Sequence, residues 1–155
     1  MRPRRMLLPL LAAVALTATA ALAADKDAKG VVAVRQNVMD ANAGHITAIK
    51  VILTELPDRI GLVPAQAQAI ADDAAAVPEL FPKGSDQPPS NALPAVWEKP
   101  DEFRAAAQKA QDLARKLAET ARGGDAKATL AAFGALGKEG CGGCHETFRK
   151  KPPQG

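Results

Sequence analysis

An all-α fold, an antiparallel bundle of four helices, is predicted from three observations. The chain is rich in Ala and only 3% aromatic. No segment alternates apolar and polar residues with the period of a strand. Four stretches instead repeat their apolar residues at helical spacing, separated by Pro and Gly breaks.

The N-terminal stretch stands outside the fold. Arg2, Arg4 and Arg5 form a positive region, Met6 to Ala20 an apolar run, and Ala21-Leu22-Ala23 a small-x-small cleavage site. That is the layout of a secretory signal peptide, and the apolar run is short for a membrane span. Residues 1–23 are expected to be removed, leaving 24–155 as a single domain with no membrane span. The removal also resets the charge. Of 20 Lys and Arg residues three lie in the signal, leaving 17 against 17 Asp and Glu. The sequence pI of about 9.0 therefore belongs to the targeting segment. With no basic stripe and no Tyr, nucleic-acid binding is excluded as a function.

The first helix is expected from about Asp25 to Leu56, where Pro57 stops it. Val32, Met39, Ile46 and Leu53 form one heptad column. Arg35, Asn42, Ile49 and Leu56 form a second, and Val31, Val38, His45 and Ile52 a third. The three make one broad inward face. Arg35, Asn42 and His45 interrupt it, and buried polar groups need partners, so something polar should face that turn. The second helix starts near Pro64, a residue suited to a first helical turn, and reaches about Val77. From Pro78 to Pro100 six prolines impose a long ordered crossover, with Trp97 as its packing anchor. The third helix opens at Pro100-Asp101-Glu102, acidic where the helix dipole favours it. It carries Phe103, Ala106, Ala110, Leu113 and Leu117 inward and ends at Gly123-Gly124. Asp125 is a natural N-cap for the fourth helix, expected to run to about Lys150. Gly140, Gly142 and Gly143 inside it cost stability. They suit a bulky flat group approaching the backbone closely.

That fourth helix holds Cys141-Gly142-Gly143-Cys144-His145, the C-x-x-C-H pattern of covalent haem attachment. At i, i+3 and i+4 the two thiols and the imidazole leave one helical face. Both thiols can then add to the vinyl groups along one porphyrin edge while His145 reaches the iron. Other readings explain less. A disulfide, the default for an exported pair, leaves His145 and the glycines without a role. A thioredoxin-like pair needs a preceding strand. A zinc site needs about four ligands, and the chain has two Cys and two His.

A second axial ligand is expected upstream, because Glu146 to Gly155 contain no Met, His or Cys. Once Met1 and Met6 leave with the signal, Met39 and His45 are the candidates. Met39 is favoured, since it lies on the inward face and a thioether suits haem iron. The alternative is that Met39 is core filling beside an open iron. His45, at the edge of the stripe, suits a propionate partner or a half-exposed helix position better. Arg35 lies one turn before Met39. It is either a charge partner at the haem edge or a surface arginine whose stem covers apolar residues.

These residues resemble the class II c-type cytochromes, cytochrome c′ and its low-spin relative cytochrome c-556, over essentially the whole chain after the signal. The strongest match is the run from Cys141 to Arg149. Arg35-Gln36-Asn37-Val38-Met39 is similar to the family's first-helix R-Q-x-x-M element. The resemblance implies an up-down-up-down four-helix bundle, one haem c bound through Cys141 and Cys144, His145 on the iron, and Arg35 near the haem. Met39 then points at the distal side, as a ligand in c-556-like members or a pocket residue in five-coordinate ones. Leu80-Phe81-Pro82 and Ala95-Val96-Trp97-Glu98 look more like the c-556 side. The reading that follows is a periplasmic one-electron carrier that transforms no substrate, serves redox partner proteins and is compatible with a homodimer. The alternative is a five-coordinate protein that binds nitric oxide or carbon monoxide.

Overall fold

A computed structural model of the chain describes residues 10–151, with side-chain surroundings from residue 29 onward. Helix α1 spans Leu10–Glu55 and a 3-10 turn Pro57–Leu62 leads into α2, Val63–Ala76. A second 3-10 turn, Val77–Leu80, opens the crossover, which holds a short helix α3, Ala95–Glu98. Helix α4 is Pro100–Arg122. The last rod has three parts: α5, Ala126–Ala135, a π-helical segment Leu136–Gly142, and α6, Gly143–Phe148.

Two sequence expectations change. Helix α1 begins at Leu10 rather than near Asp25, because the Ala- and Leu-rich stretch has high helix propensity. Of the expected signal segment, Met1 to Pro9 lie outside the described residues. The fourth helix is not one α-helix reaching Lys150. It passes through the π segment and stops at Phe148, after which Arg149 is extended. Asp125 caps it as expected, accepting a hydrogen bond from the Ala128 amide at 2.9 Å.

Two apolar clusters fix the topology. The first joins Ile49 and Ile52 of α1, Val63, Ala67, Ile70 and Ala71 of α2, Ala114, Leu117, Ala118 and Ala121 of α4, and Leu136. The second joins Val77, Val96, Phe103 and Phe148, with Met39, Phe81, Trp97 and Cys144 packed against it. Along α1 the chain passes from the second cluster to the first, along α2 back again, along α4 forward, and along the last rod back. The bundle is therefore up-down-up-down.

The inward face of α1 is largely as the heptad predicts, except that Leu56 is half exposed at the helix end. On α4 the buried set is Phe103, Ala107, Gln111, Ala114, Leu117, Ala118 and Ala121. Ala106, Ala110 and Leu113 are only partly buried. The small side chains of α2 turn α4 toward its own alanines, since two Ala-lined faces can approach closely.

The crossover is ordered by its polar anchors. Trp97 donates its indole N–H to the carbonyls of Phe81 and Pro82, both at 3.1 Å. The stretch after Phe148 pairs antiparallel with it through an Ala92–Arg149 bridge. There the Leu93 amide bonds the Phe148 carbonyl at 2.9 Å and the Lys150 amide the Asn91 carbonyl at 2.8 Å.

Candidate haem site

Four of the five aromatic residues of this aromatic-poor chain collect at one end, and Phe133 packs at the other. Phe81 packs edge-on against Trp97 and Phe103, with centroids 6.0 Å and 4.9 Å away, and Phe103 against Phe148 at 5.1 Å. Edge-to-face packing of this kind holds rings in defined orientations. Phe81, Phe103 and Phe148 wall a cavity of 430 Å³ whose lining also includes Met39, Val77, Val96, Cys144 and His145. Gln36, Asp40, Asn91 and Arg149 also line it, and all four are exposed, so its mouth is polar and its interior apolar. That size and polarity pattern suits a small-molecule or cofactor site.

Four of the five residues singled out from the sequence meet at this cavity: Arg35, Met39, Cys144 and His145. Cys141 is not in its lining. Cys141 packs against the first apolar cluster and Cys144 against the second, so the pair straddles the junction between them. Burial raises the pKa of both thiols, which stay protonated well past neutral pH. For His145, burial first and the Arg149 charge second lower the pKa. The imidazole is thereby held neutral, the form that donates a lone pair to a metal.

Of the two roles considered for Arg35, the surface one is excluded, and the residue lines the cavity. It is 5% exposed, so it is no surface residue. Its guanidinium donates to the Ser85 carbonyl at 2.6 Å, the Ser85 hydroxyl at 3.0 Å, the Ser90 hydroxyl at 2.6 Å and the Leu80 carbonyl at 3.3 Å. It lies over the Phe81 ring, 4.5 Å from the centroid. Here is the polar partner that the interrupted α1 face demanded: the crossover itself, strapped to α1 across the cavity wall. Burial lowers the arginine's pKa, partly offset by Asp86. His45 is not at the cavity. Its Nδ1 pairs with Gln66 Oε1 at 2.7 Å, linking α1 to α2, which removes it from the axial candidates.

Sequence reasoning missed the ring wall and the two serines. Phe81, Phe103 and Phe148 belong to three separate segments, and no periodicity relates them. Ser85 and Ser90 carry no local signal beyond lying in a Pro-rich stretch.

The residues fit a covalently held porphyrin: an apolar, ring-walled cavity with one protonated thiol, a neutral imidazole and a thioether in its lining, and a second protonated thiol three residues earlier in the chain. A helical bundle with this site is a c-type cytochrome of class II. Comparison with known proteins makes the assignment particular. Residues 30–149 match the family model described as Cytochrome C′. A cytochrome c′ of Rhodospirillum rubrum is 33% identical over 147 residues, covering 94% of this chain and 98% of that protein. A cytochrome c-556 of Agrobacterium tumefaciens is 35% identical over 123 residues, covering 79% of this chain and 98% of that protein. A cytochrome c-554 of Cereibacter sphaeroides is 49% identical over 79 residues, which span 56% of its length. Among solved structures, a cytochrome c′ with ligand-controlled dimer dissociation superposes with a TM-score of 0.73 at 27% identity, covering 80% of this chain and 97% of that one. A nitric oxide complex of a variant cytochrome c′ from Alcaligenes xylosoxidans superposes with a TM-score of 0.69 at 25% identity, over 80% of this chain and 97% of that one. The chain belongs to the cytochrome c′ family. Its cofactor is one covalent haem c, and Cys141 and Cys144 are the two thiols of the attachment motif.

Proposed function

We propose that the chain is an exported one-electron carrier of the c-556 kind, with His145 and Met39 as the two axial iron ligands. The observation that carries this reading is that His145, at the end of the bundle's last rod, and Met39, on α1, line one cavity. Haem c supplies the redox couple. The protein's part is to tether, orient and seal. Cys141 and Cys144 fix the macrocycle's edge. The neutral His145 and the soft Met39 sulfur suit both oxidation states of iron, so charge changes with little rearrangement. The apolar wall excludes water, and Arg35 places a buried positive charge in the cavity lining, where it suits a haem carboxylate.

The signal-like N-terminus supports export to the periplasm with cleavage after Ala23. Among the described residues no helix is long and apolar enough to cross a membrane. Redox partner proteins would meet the exposed rim of the cavity. A homodimer is compatible with the likeness to a cytochrome c′ whose dimer dissociates under ligand control.

A second reading has Met39 unbonded and the iron open to nitric oxide or carbon monoxide. It is favoured by the apolar lining beside Met39 and by the likeness to a protein solved with nitric oxide. Replacing Met39 with Ala separates the two. Under the first reading the absorption spectrum changes from low-spin to high-spin; an unchanged spectrum refutes Met39 ligation.

A further inference from the structure

The crossover passes the cavity mouth as four consecutive residues, Pro89 to Ala92, that are held from two sides. From α1, Gln36 Nε2 donates to the Pro89 carbonyl at 3.2 Å and the Arg35 guanidinium to the Ser90 hydroxyl at 2.6 Å. From the stretch after α6, the Lys150 amide donates to the Asn91 carbonyl at 2.8 Å and Lys150 Nζ to the Ser90 carbonyl at 3.3 Å. The Leu93 amide returns a bond to the Phe148 carbonyl at 2.9 Å, which closes the antiparallel Ala92–Arg149 bridge. Asn91, Ala92, Phe148 and Arg149 all line the cavity. One wall is thus made by pairing two stretches of extended backbone rather than by packing helices.

The two sides are unequal. The Arg35 bond is buried and charge-assisted, and such bonds are about twice as strong as neutral ones. The two backbone bonds of the bridge are neutral, and Asn91, Arg149 and Lys150 are exposed. Exposed backbone bonds with few buried neighbours lie at the low end of local stability. Helix α6 ends at Phe148, and the bridge is the only pairing of extended backbone among the described residues. The wall therefore opens on the Lys150 side, while α1 keeps its hold.

We propose that Lys150 is a positioning residue for the redox centre: its amide, backed by its ammonium, latches Pro89–Ala92 across the mouth and keeps water from the apolar interior. The inference rests on the haem c reading. Ferric haem carries one more positive charge than ferrous haem, and water stabilises the more charged state. Burial is accordingly one of the protein's levers on haem potential. A closed latch favours the ferrous form and raises the reduction potential; an open one lowers it. Loss of the Lys150 charge alone acts in the same direction, since a nearby cation disfavours ferric iron. Charge and closure are therefore separated in the test.

The test uses holoprotein matured from the full chain. Lys150→Gln removes the charge and keeps the amide N–H, whereas Lys150→Pro also removes the donor to Asn91. Arg149 is already extended, as the residue before a proline should be. The readout is a spectroelectrochemical titration at the potential where Lys150→Gln is half reduced. There the ferrous-to-ferric ratio of Lys150→Pro is expected to be lower about threefold or more, or about 30 mV at 59 mV per tenfold. Hydrogen exchange of the holoproteins should show the Leu93 amide losing protection in Lys150→Pro while the amides of α4 keep theirs. Equal ratios in the two variants, or unchanged Leu93 protection, would overturn the proposal. Should circular dichroism find Lys150→Pro unfolded, Leu93→Pro decides, since it breaks the bridge from the crossover side without changing charge. A native ratio in that variant refutes the proposal, and a fall of about threefold supports it. A native chain with no Soret band would overturn the haem reading, and the proposal with it.

Discussion

Replacing Arg35 with Met tests how the crossover is held. The substitution keeps an unbranched stem of similar length and removes every donor. Two of the lost hydrogen bonds are short, 2.6 Å to the Ser85 carbonyl and 2.6 Å to the Ser90 hydroxyl. Bonds from charged groups contribute about 1.5–3 kcal/mol each. The pair therefore amounts to about 3–6 kcal/mol. Against this stands the desolvation of a buried guanidinium, which the apolar replacement avoids. The Ser85 hydroxyl also keeps its bond to the Pro82 carbonyl at 2.8 Å. The expected net loss is about 3 kcal/mol, of the order found when buried charge networks are broken. At a urea dependence of about 2 kcal/mol per molar, the midpoint should fall by about 1.5 M. Urea unfolding of the holoprotein measures this, and hydrogen exchange locates it. The amides of Ser85 and Ser90, bonded to the carbonyls of Pro82 and Gln87, should lose protection before those of α4. A midpoint shift below about 0.3 M urea, or a loss of protection spread evenly over the bundle, would refute the strap.

Three further expectations follow from single residues. Leu117 is fully buried in the first cluster, so Leu117→Ala should cost about 2–5 kcal/mol in urea unfolding. Asp125 caps α5 through its bond to the Ala128 amide, and Asp125→Ala should cost about 1 kcal/mol by the same measurement. In the haem-free chain the pKa of His145 lies below its ordinary 6.5. The unfolded chain then binds more protons below that pH, and stability falls as pH drops through it. The thiols shift the other way, above their ordinary 9.0, so the folded chain retains protons that the unfolded one releases. Stability therefore also falls as pH rises past that value. Thermal melts across this range should give a plateau between the two limits. A maximum outside it would contradict the assigned burial.

The fold was legible where periodicity is local. The α1 face, the proline-set start of α4 and the Asp125 cap all follow from spacing and from which residue stands at a helix end. The attachment motif was legible because its chemistry requires five consecutive positions. What escaped depends on pairs far apart in the chain. Arg35 looked like a helix-face intruder because its partners, Ser85 and Ser90, lie in a segment with no pattern of its own. The wall of Phe81, Phe103 and Phe148 exists only after three segments meet. The π segment escaped because glycines at 140, 142 and 143 read equally as helix cost or as room for a ligand. At Gly140 an added Cβ would meet the Ala110 Cα of α4 at 3.3 Å, and that close approach is a property of two packed helices.

Carbon monoxide added to the reduced holoprotein tests the central claim most directly. With His145 and Met39 both on the iron, the ferrous spectrum should remain low-spin and unmoved at carbon monoxide concentrations that convert the Met39→Ala protein. A native spectrum that shifts at once to that of a carbon monoxide adduct would contradict methionine ligation and favour the gas-binding reading.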